Sequence, residues 1–75
     1  MIDTEKLKGA VVAAGLTQAE IADKIGLSPT AFNNKVTNKT EFKASEIAKI
    51  VSLLNLSEHE ISCIFFAKQV DKLST

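Results

Sequence analysis

The sequence predicts an all-α fold. Apolar residues recur at helical spacing through almost the whole chain, only one proline and three glycines interrupt it, and no strand-like alternation survives beyond a few residues. With 75 residues, 45% of them hydrophobic, there is material for one compact domain with one modest core. The longest aliphatic stretch, AVVAA at 10–14, is too short for a membrane span or a secretory core, so a soluble cytoplasmic protein is expected. Cys63 is the single cysteine and has no partner for an internal disulfide, which suits a reducing compartment and leaves stability to helix packing. Nine lysines balance nine acids and arginine is absent, so bulk charge favours neither a nucleic acid nor a membrane surface.

Five helices follow in order. Leu7, Ala10, Val11 and Ala14 form the stripe of the first, with Asp3 or Thr4 as cap and Gly15 as stop. Thr17 caps a second, about two turns long, whose inner side is Ile21, Ala22 and Ile25, and Gly26 ends it. Ser28 caps the third, with Pro29 at the first helical position, where a missing amide hydrogen is harmless and a fixed φ is already helical. This helix runs to about Val36, and TNKTE at 37–41 forms a polar loop. Ile47, Ile50, Val51 and Leu54 mark a fourth helix from Ala44 to Leu54. The fifth opens at Ser57 and turns Ile61, Ile64 and Phe65 inward, which leaves Cys63, Phe66, Val70 and Leu73 on its other side. Two outcomes stay open for that second apolar face: the helix stops near Ala67 and Phe66 folds back over the core, or the face is a dimer or partner seam.

One hexamer recurs at irregular intervals. LTQAEI (16–21) and LSEHEI (56–61) each combine a hydroxyl cap, a glutamate that reaches back to the cap amide, and a flanking apolar pair that forms a hydrophobic staple. FKASEI (42–47) keeps the staple and Glu46 but places Lys43 at the cap. LSPTAF (27–32) keeps the cap Ser28 and the staple Leu27 to Phe32, yet carries Ala31 where the acid would stand. That acid would stabilise the helix by a few tenths to about 1 kcal/mol through the box and the helix dipole. A helix start without a carboxylate suits an approaching phosphate; equally, alanine is the best helix former, and propensity alone accounts for it.

Residues 18–36, QAEIADKIGLSPTAFNNKV, resemble the helix-turn-helix of phage Cro and CI repressors, the XRE-like family. Counting from Gln18, the window has Ile21 fourth, a small Ala22 fifth where the helices cross, Ile25 eighth, Gly26 ninth in the tight turn, Leu27 tenth and Phe32 fifteenth. It departs at the eighteenth place, where the family usually has an apolar residue and this chain has Lys35, with Val36 one place later. The short acidic fifth helix ending in CIFFA is similar to small Cro-like and modulator-of-repression proteins. The resemblance implies a five-helix lambda-repressor-like DNA-binding domain over residues 1–75, with the motif at about 17–36; residues 68–75 are a candidate frayed tail if the fifth helix stops near Ala67.

It further implies that the motif's second helix enters the major groove, with Pro29, Thr30, Asn33 and Asn34 at base-reading positions. Asparagine can bond adenine at N6 and N7, threonine can meet a thymine methyl or a base edge, and Pro29 offers only apolar contact where relatives often carry a polar reader. Gln18, Ser28, Lys35, Lys39 and Lys43 are the implied phosphate contacts. Cys63, Phe66, Val70 and Leu73 form the candidate seam for a homodimer or a protein partner. Two functions fit: a Cro-like regulator of a lysis/lysogeny switch in a bacterial host that binds double-stranded operator DNA, or an antirepressor that binds a phage CI-type repressor and masks its DNA-reading surface. Neutral charge, absent arginine and Pro29 favour the second, while the motif favours the first. No cofactor or small-molecule substrate is expected, nor an enzyme, since one His and one Cys cannot supply nucleophile, base and orienter. His59 and Cys63 lie four apart and can share a face, but two ligands fall short of a zinc site.

Overall fold

The computed structural model describes residues 2–66, which form α1 (Thr4–Ala13), α2 (Gln18–Lys24), α3 (Pro29–Val36), α4 (Ala44–Leu54) and α5 (Glu58–Phe65), with no strand among the described residues. Side-chain caps open four of these helices. Asp3, Thr17, Ser28 and Ser57 accept from the amides of Lys6, Glu20, Ala31 and Glu60 at 3.0–3.2 Å, each worth about 1 kcal/mol. At α2 and α5 the glutamates Glu20 and Glu60 close the box by accepting from the Thr17 and Ser57 amides at 2.9 Å.

The same economy governs the helix ends. The amide of Leu16 donates to Val11, of Leu27 to Ala22, of Lys39 to Asn34 and of Leu56 to Val51, at 2.8–3.2 Å. Each bond spans a residue with positive φ, namely Gly15, Gly26, Asn38 and Asn55, which is the Schellman arrangement. Three of these joints therefore read Gly or Asn, then Leu, then Thr or Ser. The leucine closes the helix behind it, packs on the core and precedes the cap of the helix ahead. This explains why the hexamer recurs where it does.

All five helices contribute to one core, centred on Leu7, Val11, Ile21, Phe32, Val36 and Ile50. Ala22 is fully buried where α2 packs on α3, its most extensive helix partner, so α2, the turn and α3 form one packed unit of this all-α domain. Phe42, just before α4, stands edge-on to Phe32 (5.9 Å) and Phe65 (6.3 Å), linking α3 to α5. No helix among the described residues is long and apolar enough to cross a membrane.

Two expectations are corrected. Ala14 does not belong to the buried stripe: α1 ends at Ala13, and Ala14, turned out by the closure at Gly15, is exposed. Of the two outcomes left open for Phe66, folding back over the core is not seen: α5 ends at Phe65, close to the stop that outcome requires, yet Phe66 stays 46% exposed.

The glycines give opposed tests. Gly26 has φ +81° with open space where a Cβ would go, so Gly26→Ala is expected to lower unfolding stability by about 1–2 kcal/mol through backbone strain alone. Gly9 lies inside α1 with ordinary helical backbone and equally open space, so Gly9→Ala should raise stability by about 1 kcal/mol. Urea unfolding monitored by circular dichroism measures both.

Candidate nucleic-acid interface

The turn at Gly26 and Leu27 carries the chain from α2 into α3 and leaves one side of α3 uncovered. Pro29, Thr30 and Asn33 are exposed on it, and Asn34 is half-buried beside them. Ser28 is exposed, but its Oγ accepts the Ala31 amide at 3.1 Å, so the hydroxyl serves first as a cap. Gln18, half-buried, opens α2. No acid lies in the first turn of α3. At the far end of the helix, the Thr37 hydroxyl donates back to the Asn33 carbonyl at 2.8 Å.

The implied phosphate lysines divide into two kinds. Lys39 and Lys43 are exposed, in the loop after α3 and at the start of α4. Lys35 is withdrawn from that set. Its Nζ lies 2.6 Å from Glu46 Oε1, and the two side chains are only 12% and 10% exposed. The same oxygen accepts the Lys43 amide at 2.8 Å, so Glu46 caps α4 and pins α3 with one atom. Burial opposes ionisation of Glu46, but the Lys35 ammonium, the Lys43 amide and the two lysine charges outweigh it and hold the carboxyl below its ordinary range. The apolar residue expected at the eighteenth place of the motif is thus replaced by one half of an ion pair whose other half comes from the next helix. The visible signal is a lysine at a place that packs inward; the partner, eleven residues on, is hidden behind its role as a capping acid.

A second arrangement behind α3 has no counterpart among the sequence-based expectations. Asn38 Oδ1 accepts the Ile2 amide at 2.9 Å and its Nδ2 donates to the Ile2 carbonyl at 3.0 Å. The Thr4 hydroxyl donates to the Val36 carbonyl at 2.6 Å, and the Asp3 amide to the Ile64 carbonyl at 2.7 Å. The N-terminal segment is therefore sewn to the end of α3 and to α5.

The candidate seam is only partly on view. Phe66 is exposed and Cys63 half-buried, whereas Val70 and Leu73 lie outside the described residues. Cys63 lines an open groove between α5 and α1, with Gly9, Ala10 and Ala13 on the opposite wall. Its Sγ is 3.5 Å from His59 Nε2. Among the described residues no group of three or more His, Cys, Asp or Glu is placed to hold a metal.

Comparison with known proteins gives a family match. The model of the family described as "Protein of unknown function (DUF739)" matches residues 1–68. No curated protein and no solved structure matches the chain.

The ion pair sets a pH dependence. A carboxyl held low in the folded state adds stability that is complete above the unfolded glutamate pKa of about 4.3 and is lost as pH falls through the lower folded value. Glu46→Gln should therefore cost about 1–3 kcal/mol at pH 7, and its stability gap to the parent should close as pH drops below about 4. Lys35→Met, which strands the carboxylate, should be at least as damaging at pH 7 and should also lose most of its penalty in acid. Chemical unfolding at a series of pH values reads both.

Proposed function

The chain belongs to the DUF739 family, and on its geometry we propose that it is a phage-type transcriptional regulator, similar to Cro, that binds double-stranded operator DNA through α3. The observation that carries this reading is the uncovered, acid-free side of α3, delivered by a closely packed α2, turn and α3. In the proposed complex Thr30, Asn33 and Asn34 face base edges, with Pro29 in apolar contact. Gln18, the α3 start at Ser28, Lys39 and Lys43 hold the flanking phosphates. Lys35 has no part in it while Glu46 is ionised.

With few cations and no arginine, one domain would hold DNA weakly, so the reading includes two copies on half-sites about 34 Å apart. The α5 face with Cys63 and Phe66 is the proposed seam, with Val70 and Leu73 as its extension in the sequence.

A second reading has its own support. The Lys35–Glu46 pair removes a cation from an already neutral reading side, and Val12 and Phe66 are exposed apolar side chains of the kind that anchor protein partners. On that reading the domain binds a CI-type repressor and masks its DNA-reading surface.

A gel-shift assay on DNA flanking the gene, at low and moderate salt, with and without the neighbouring repressor, separates the two. Operator binding predicts a salt-sensitive shift by this chain alone, and Lys39→Ala with Lys43→Ala should flatten the log–log salt slope by roughly two units. A chain that never shifts DNA but abolishes the repressor's shift would sink operator binding and leave masking in its place. Phe66→Ser should weaken dimer or partner assembly, while Asn33→Ala should relax sequence preference without changing assembly.

A further inference from the structure

We infer that the reading side of α3 is built for A·T pairs and makes no bidentate guanine contact, so that the operator half-site beneath it is A·T in composition; this rests on the operator-binding reading above. The inference follows from which groups the fold leaves available. Guanine shows two acceptors, N7 and O6, in the major groove and is read by donor-rich side chains, arginine or lysine. The chain has no arginine. Lys35 is the one lysine on α3, and its Nζ is bound at 2.6 Å to Glu46, with the side chain 12% exposed. Lys39 and Lys43 stand beyond the C-terminal end of α3, on the phosphate flank.

What remains on the open side suits adenine and thymine. An asparagine amide offers one acceptor and one donor group, which matches the N6 donor and N7 acceptor of adenine; against guanine its oxygen would face a second acceptor. Asn33 is exposed and Asn34 half-buried beside it. Pro29 and the Thr30 methyl give apolar surface for the thymine methyl. The Thr37 hydroxyl donates back to the Asn33 carbonyl at 2.8 Å, so its proton is committed to the helix end. Sequence alone assigns Lys35 to a phosphate; the Glu46 contact takes away the only cationic side chain on α3 that could also have bridged guanine N7 and O6, leaving the Thr30 hydroxyl, which meets either base pair singly.

The test is selection of duplexes from a random pool by the full chain at low salt, followed by base-analogue substitution in the enriched sequence. A·T pairs are expected at the positions under α3. Replacing adenine there by 7-deazaadenine, which lacks the N7 acceptor, should weaken binding by about 5- to 150-fold for each bidentate asparagine–adenine pair that is broken. Asn33→Ala should erase that sensitivity at one position. Substitution by 7-deazaguanine at any position should leave binding unchanged, and Lys39→Ala should alter the salt slope but not the selected sequence. A selected half-site with fixed G·C pairs under α3, or weakening by 7-deazaguanine, overturns the inference while operator binding stands. Enrichment of no duplex at all overturns operator binding itself, and this inference with it.

Discussion

Every helix joint in this domain must satisfy the last carbonyls of one helix and the first amides of the next within a few residues, and the fold depends on how that is done. A left-handed residue turns the chain, the following amide closes the old helix, and a hydroxyl opens the new one. Because the leucine between them packs on the core, backbone satisfaction and side-chain burial are met by the same residues. Short helices that would be marginal alone are thereby fixed in length and direction. The orientation of α3 is one product of this rule, since its starting point is set by the closure of α2 at Gly26.

The joint between α3 and α4 breaks the pattern and is the most specialised of the set. Its left-handed residue is Asn38, the following residue is Lys39 rather than leucine, and Lys43 occupies the cap. A cap of that kind supplies no acceptor, so α4 relies on Glu46, and Glu46 relies in turn on Lys35 for charge balance. A largely buried pair of this type is sensitive to loss of either partner, while two well-packed apolar residues could serve stability as well. What the pair adds over an apolar contact is direction: it fixes the end of α3 against the start of α4 and keeps an ammonium off the open side of α3.

Much of the architecture is legible in the sequence because helix boundaries here are written in local chemistry. Thr17 with Glu20, Ser28 with Pro29, and Ser57 with Glu60 act over one to three residues, a range at which sequence and contact nearly coincide. The positions of Ile21, Phe32 and Ile50 follow from periodicity for the same reason. Lys35 escapes such a reading because its partner is on another helix, and Asn38 looks like ordinary loop because its amide pairs with Ile2, thirty-six positions away. Ala14 misleads for a smaller reason: a stripe drawn at fixed spacing ignores that the helix has already ended. The candidate reading residues are visible only through resemblance to a known motif, since their exposure alone does not distinguish them from any other wet helix surface.

The Asn38 clamp bears on how the protein can be handled. Both main-chain groups of Ile2 are held by the Asn38 amide, directly beside Lys39 and the end of α3. A purification tag fused ahead of Ile2 would leave the domain from this corner, next to the loop that the operator-binding proposal gives to phosphate. The gel-shift test of that proposal is therefore cleanest with an untagged chain.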